Sequence, residues 1–143
     1  MLIPTVDEVI NKLVNNFETR DPYKIADQMG VIIIEEDLGE IYGYYSRVSR
    51  IPIIHINNRY DRFTQLLTCA HELGHSILHP KENTPMLSKQ SIVSEMKIEK
   101  EANYFATNLI IDGSHNDFEL VNKYQILDFY GLPHEFKRYC KIF

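Results

Sequence analysis

His71-Glu72-Leu73-Gly74-His75 sets two histidines four residues apart, with a glutamate directly after the first. On an α-helix that spacing projects both imidazoles from one face, about 5–6 Å apart. Two imidazole nitrogens so placed can converge on one zinc ion at about 2.0–2.1 Å. Glu72 is rotated about 100° from His71 and stands beside that site, where a carboxylate can take a proton from water activated by the metal. The pattern points to metal-assisted hydrolysis, on condition that the segment is helical and its histidines meet a cleft.

The surrounding sequence meets the first condition. Asp61 is a helix N-cap, the apolar periodicity runs to about His79, and Pro80 ends it. Phe63, Leu66, Leu67, Ala70, Leu73, Ile77 and Leu78 form one stripe that includes Gly74, and His71 and His75 fall at its rim. Gly74 would let a neighbouring element approach closely. His79 lies about 12 Å along the axis from His71, too far to share its metal, and reads as a residue satisfying a late carbonyl of the helix.

A hydrolytic zinc site needs a third protein ligand and an open position. A second long helix, from about Ser91 or Ser94 to Ile111, offers Glu95, Glu99 and Glu101. Its apolar stripe is Ile92, Met96, Ala102, Phe105, Ala106, Leu109 and Ile110, and Glu99 lies just inside the edge of it. A carboxylate there is costly without a partner such as a metal. Glu95 also faces inward, but in the first turn, where a helix start favours an acid for ordinary reasons. Glu101 points to a solvated face. Periodicity therefore ranks Glu99 first, Glu95 second and Glu101 third. Asn103, one turn beyond Glu99, could orient a ligand histidine or Glu99 itself, or be a simple packing amide.

Leu66 to His79 resembles the active helix of the ImmA/IrrE-type metallopeptidase family, and Ile98 to Ile110 is similar to that family's E-x-x-A-N-x-F-A helix. The resemblance runs from about Val31 to Ile111 and is sharp only in these two blocks. It implies His71 and His75 as metal ligands, Glu99 as the third, and Glu72 as the catalytic base of a gluzincin-like metallo-endopeptidase. It implies zinc as cofactor, although a His₂Glu set binds other divalent ions too. It also implies a protein substrate, since members include regulators on mobile elements and in stress responses that cleave a helix-turn-helix repressor. One departure is Ile110-Ile111-Asp112-Gly113, where the family often has a Met-Pro pair. The chain has no room for the helix-turn-helix module that some members add.

The rest of the chain must carry these helices. Thr5 to Phe17 reads as a helix with a Thr5/Glu8 capping box, and Asp21-Pro22 opens a shorter one that Gly30 stops. Val31–Glu35, Ile41–Val48 and Ile51–Ile56 read as strands, most simply an antiparallel meander, with Pro52 putting the third at an edge or starting it there. A polar loop follows over Lys81 to Gln90, and short helical pieces are expected around Phe118 to Tyr124 and Pro133 to Tyr139. The expected fold is a single α+β, zincin-like domain over residues 1–143, its small antiparallel sheet packed against the active-site helix and further helices.

Composition limits the partners. With 143 residues, a formal charge of −5 and scattered lysines and arginines, the chain is a poor candidate for direct nucleic-acid binding. No stretch approaches the eighteen apolar residues of a membrane span, and Met1 to Thr5 has no signal-peptide pattern. Cys69 and Cys140 read as free thiols, so a cytoplasmic location is expected. Tyr42, Tyr44, Tyr45, Tyr104, His115 and His134 are open candidates for steadying the oxyanion. A metal-holding module that sequesters a repressor without cleaving it is the alternative, which an intact Glu72 disfavours.

Overall fold

The computed structural model describes residues 4–141. The expectation about a leader falls partly on Met1 to Ile3, outside them. Helix α1 (Val6–Phe17) starts as expected, with the Thr5 hydroxyl accepting from the amide of Glu8, and α2 (Pro22–Gln28) is capped by Asp21. Strands β1 (Ile32–Glu36), β2 (Gly43–Val48) and β3 (Ile51–Asn57) precede the motif helix α3 (Arg62–Leu78), which Asp61 caps. A short α4 (Lys89–Ile92) leads to α5 (Lys97–Ile110). After a 3-10 turn at Ser114–Asp117 come α6 (Lys123–Tyr130) and a last 3-10 stretch at His134–Tyr139. The architecture is α+β.

The sheet is not the expected meander. Its order is β1-β3-β2, with β3 parallel to β1 and antiparallel to β2. The chain leaves β1, skips one place, and returns β3 to the centre. The crossing loop is held by side chains: buried Asn57 donates to the carbonyls of Gly39 (2.9 Å) and Ile41 (2.7 Å), and Tyr60 donates to that of Glu40 (2.6 Å). Central placement lets Ile54 and Ile56 bury fully, at about 1.5–3 kcal/mol for each such side chain. Pro52 is tolerated because pairing with β1 begins only at Ile53, so its missing donor costs nothing on that side.

The same central position changes the reading of α3. Packed on α5, on β2 and β3, and on α2, it is buried continuously from Leu67 to His75 and so has no narrow core stripe. Phe63 departs from the expected stripe, being half exposed and lying over Gly131, where a Cβ would strike its ring. Gly74 faces Phe105 of α5: an added Cβ would lie 2.8 Å from Phe105 Cδ1. Gly74→Ala should therefore destabilise by about 1–3 kcal/mol through overpacking, partly offset by about 1 kcal/mol of helix propensity. Urea melts check this, and a variant more stable than the parent would mean that Phe105 yields freely.

The second long helix is shorter than expected. Ser94 and Ser91 both look like caps, but Ser91 belongs to α4, and the chain breaks at Val93–Met96. Met96 and Val93 are exposed, so Met96 leaves the predicted stripe. Leu87, inside the supposed polar loop, is buried and bridges to Gly43. The tail helix also shifts, because Asn122 caps α6 and Gly131 ends it, leaving Phe118 and Val121 exposed before it. Among the described residues no helix is long and apolar enough to cross a membrane. Cys69 and Cys140 are both buried, and Cys69 is a free thiol.

Candidate metal centre

One turn of α3 sets the rings of His71 and His75 edge to face, with centroids 4.6 Å apart. One nitrogen of each and one oxygen of Glu72 all lie within 4.8 Å of one another. Glu99 comes in from α5, with Oε1 2.6 Å from His75 Nε2 and Oε2 3.6 Å from His71 Nε2. All four side chains are at most 1% exposed. Glu99 sits in the first turn of α5, the place expected for Glu95, so the helix start also favours its charge. Glu95 lies before the helix and is exposed, paired with Arg138 and Lys100.

Within this pocket His71 Nε2, both Glu72 oxygens and Glu99 Oε2 are buried with no hydrogen-bond partner. Each such group ordinarily costs about 1–3 kcal/mol, so a cluster of them marks a place built for something else. The outer side of His71 tells what its inner side offers. Asn103 Nδ2 donates to the Ser91 carbonyl at 3.1 Å, which turns its Oδ1 to His71 Nδ1 at 2.8 Å. A carbonyl oxygen only accepts, so His71 Nδ1 carries a proton, and in the neutral ring Nε2 presents a lone pair to the pocket. Lone pairs from nitrogen and carboxylate oxygen converging on one spot form a cation site, and the residues present fit a metal ion.

Burial pushes the Glu72 carboxyl up to about 8 from its ordinary 4.5, and the charge of Glu99 adds to the rise while His75 opposes it. Glu99 is also desolvated, yet its contacts with His71 and His75 outweigh that and hold it at about 2. The two carboxylates therefore affect stability oppositely. A raised acid stabilises the fold fully below its unfolded value and loses that contribution as pH climbs through the folded one. For Glu72 the window is about pH 4.5 to 8. Glu99's contribution is present above about 4.5 and fades only as pH falls toward 2, so it adds no slope at neutral pH. In metal-free protein, Glu72→Gln should remove a decline in stability of up to about 1.4 kcal/mol per pH unit between pH 5 and 8. Parallel pH profiles for parent and variant in urea would contradict this.

The remaining candidates have other occupations. Tyr104 donates to Asp7, His115 Nδ1 meets the Tyr130 hydroxyl, His134 meets Asp128, and Tyr45 accepts from Arg47. Tyr42 and Tyr44 pack on Tyr60 and His55. Two residues do more than the sequence suggested. His79 ends α3 and satisfies the His75 carbonyl as expected, but its ring also contacts His75, and Glu101, though partly exposed, bonds His79. The repeat of the four-residue spacing from His75 to His79 was the available signal.

Comparison with known proteins agrees with this geometry. The model of a peptidase family described as an IrrE N-terminal-like domain matches residues 26–137, a span holding α3 and α5. The chain belongs to this family. Among relatives, Metallopeptidase ImmA of Bacillus subtilis (strain 168) is 30% identical over 131 residues, covering 87% of this chain and 76% of that protein. Uncharacterized immunity region protein 2 of Bacillus phage phi105 is 34% identical over 107 residues, covering 74% and 68%. Membership in the IrrE-like family makes the chain a metallopeptidase relative and implies a metal cofactor. The chain leaves α5 through an extended Ile111 and a left-handed Gly113.

Proposed function

We propose that this chain is a zinc-dependent endopeptidase that cleaves a helix-turn-helix repressor in the cytoplasm. His71, His75 and Glu99 would hold the ion, and Glu72 would be the general base. The observation that carries this reading is the cluster of buried, unpartnered nitrogen and oxygen atoms contributed by His71, Glu72 and Glu99. Two imidazoles and one carboxylate are a donor set that zinc accepts while keeping a position open.

When bound, a divalent cation supplies Lewis-acid polarisation of the scissile carbonyl and acidification of water. The chain supplies the rest. Glu72 takes the water's proton and delivers it to the leaving amine, a task suited to a carboxyl raised toward neutrality by burial. Glu99 stays ionised at neutral pH, so it brings negative charge to the site. Asn103 fixes the ring of His71 and its tautomer. A regulatory target agrees with one relative's being named for a phage immunity region. The buried free thiol of Cys69 is compatible with a reducing compartment.

Co-expression with the helix-turn-helix repressor encoded nearest to it tests the proposal. The repressor should appear as two fragments, intact when a chelator is present, and cut again when zinc is restored. A repressor that stays whole in the zinc-loaded mixture overturns the substrate assignment.

A further inference from the structure

His79 closes α3 one turn beyond His75, its backbone amide bonding the His75 carbonyl at 2.8 Å. Its ring turns back along the helix. Nδ1 of His79 lies 3.0 Å from Nδ1 of His75, and its Nε2 lies 3.0 Å from Oε1 of Glu101 on α5. His75 is buried, the His79 side chain is 8% exposed and that of Glu101 is 36% exposed, so the three form a file from pocket to surface.

The polarity of this file follows from its outer end. Two ring nitrogens facing each other at hydrogen-bond distance share one proton, one donating and one accepting. A carboxylate only accepts, so the bond to Glu101 keeps a proton on His79 Nε2. Neutral His79 then has a bare Nδ1, and the shared proton resides on His75 Nδ1. On the inner side Nε2 of His75 lies 2.6 Å from Glu99 Oε1, and a carboxylate only accepts, so without a metal a proton sits between them; an ion taking that proton's place at Nε2 would leave the one on Nδ1 where His79 holds it. His71 receives the same treatment from Asn103, by an unrelated acceptor on another helix.

We infer that His79 and Glu101 are positioning residues which fix the tautomer and ring orientation of His75 for metal binding. This rests on the proposed reading of His75 as a ligand. The pair acts through His75 and touches neither metal nor substrate. It explains why a histidine ends α3 in place of a residue that merely satisfies a carbonyl, and why Glu101 turns back toward the core.

Two measurements test it. In metal-free protein labelled with ¹⁵N-histidine, ring ¹H–¹⁵N correlations near neutral pH should show a proton on His75 Nδ1 and none on His79 Nδ1. The reverse arrangement overturns the inference. Zinc affinity, measured by competition with a chromophoric chelator, should fall about 10–100-fold in His79→Phe and in Glu101→Ala. His79→Asn keeps an acceptor near the Nδ1 position and Glu101→Gln keeps one for His79, so both should stay close to the parent. If the ring served only as packing, His79→Phe would bind like the parent and His79→Asn would not, which overturns the relay. Thermal melts of the metal-free variants show whether the fold is intact. Undiminished affinity in His79→Phe beside a loss in His75→Ala defeats the relay alone. Undiminished zinc in His75→Ala defeats the metal-site reading, and the relay with it.

Discussion

Glu72→Gln is expected to keep its metal and lose its turnover. Glutamine matches glutamate in size and reach but cannot accept a proton near neutral pH. Both Glu72 oxygens lack hydrogen-bond partners within the chain, so the exchange breaks no internal bond. The proposed ligands His71, His75 and Glu99 are untouched, and at acidic pH, where the Glu72 carboxyl is neutral, the metal-free variant should melt about where the parent does. A general base contributes about 10²–10⁴-fold, so repressor cleavage should fall by that factor while zinc content measured by elemental analysis is unchanged. The variant should still bind its target. That separates a cleaving enzyme from a protein that merely sequesters a repressor. If Glu72→Gln relieves repression in cells as well as the parent does, cleavage is not the function.

That prediction rests on residues that were legible from spacing alone. The pair of histidines one helical turn apart, with a glutamate beside the first, needs only a helix to become a cluster, and Asp61 and Pro80 bound that helix in sequence. Glu99 was legible for another reason. It is an acid on the face where Ala102, Phe105 and Ala106 pack, and the structure finds all three fully buried. The start of its helix was not legible, since Ser91 and Ser94 both resemble caps and no Gly or Pro marks the break before Lys97. Glu95 was thereby credited with a first-turn position that belongs to Glu99.

Pairing between distant elements was the other obscure quantity. Hydrophobic alternation locates strands but says nothing of their neighbours. The crossover that puts β3 in the centre depends on Asn57 and Tyr60 reaching back sixteen to twenty residues to the loop after β1. In the same way, the outer partners of the candidate ligands are set by how α3 meets α5: Asn103 reaches His71 across 32 residues and Glu101 reaches His79 across 22. A helical wheel places such residues on a face, and only packing decides which of them touch. His79 lies too far along the helix to share a metal with His71, and its ring meets His75 instead.

Single truncations around the pocket should separate into three levels. His71→Ala and His75→Ala should be purified without zinc, because each removes one of two nitrogens that α3 aims at the same point. Glu99→Ala should also cost more than the roughly 10–100-fold expected for an outer partner, since it removes both a donor and the negative charge held beside His75. Glu101→Ala should sit at that outer level, because its oxygen reaches only His79. Glu95→Ala should bind zinc like the parent, as Glu95 is exposed and paired with Arg138 and Lys100 at the surface. The order matters more than any one value. The three glutamates lie within seven residues of one another and carry the same charge, so a site that merely collected negative potential would respond alike to losing any of them. Only a site built by direct contact would rank them by their distance from the two imidazoles. Equal losses at Glu99 and Glu101, or a larger loss at Glu95, would mean that α5 does not meet α3 in this register, and the third ligand would have to be sought elsewhere.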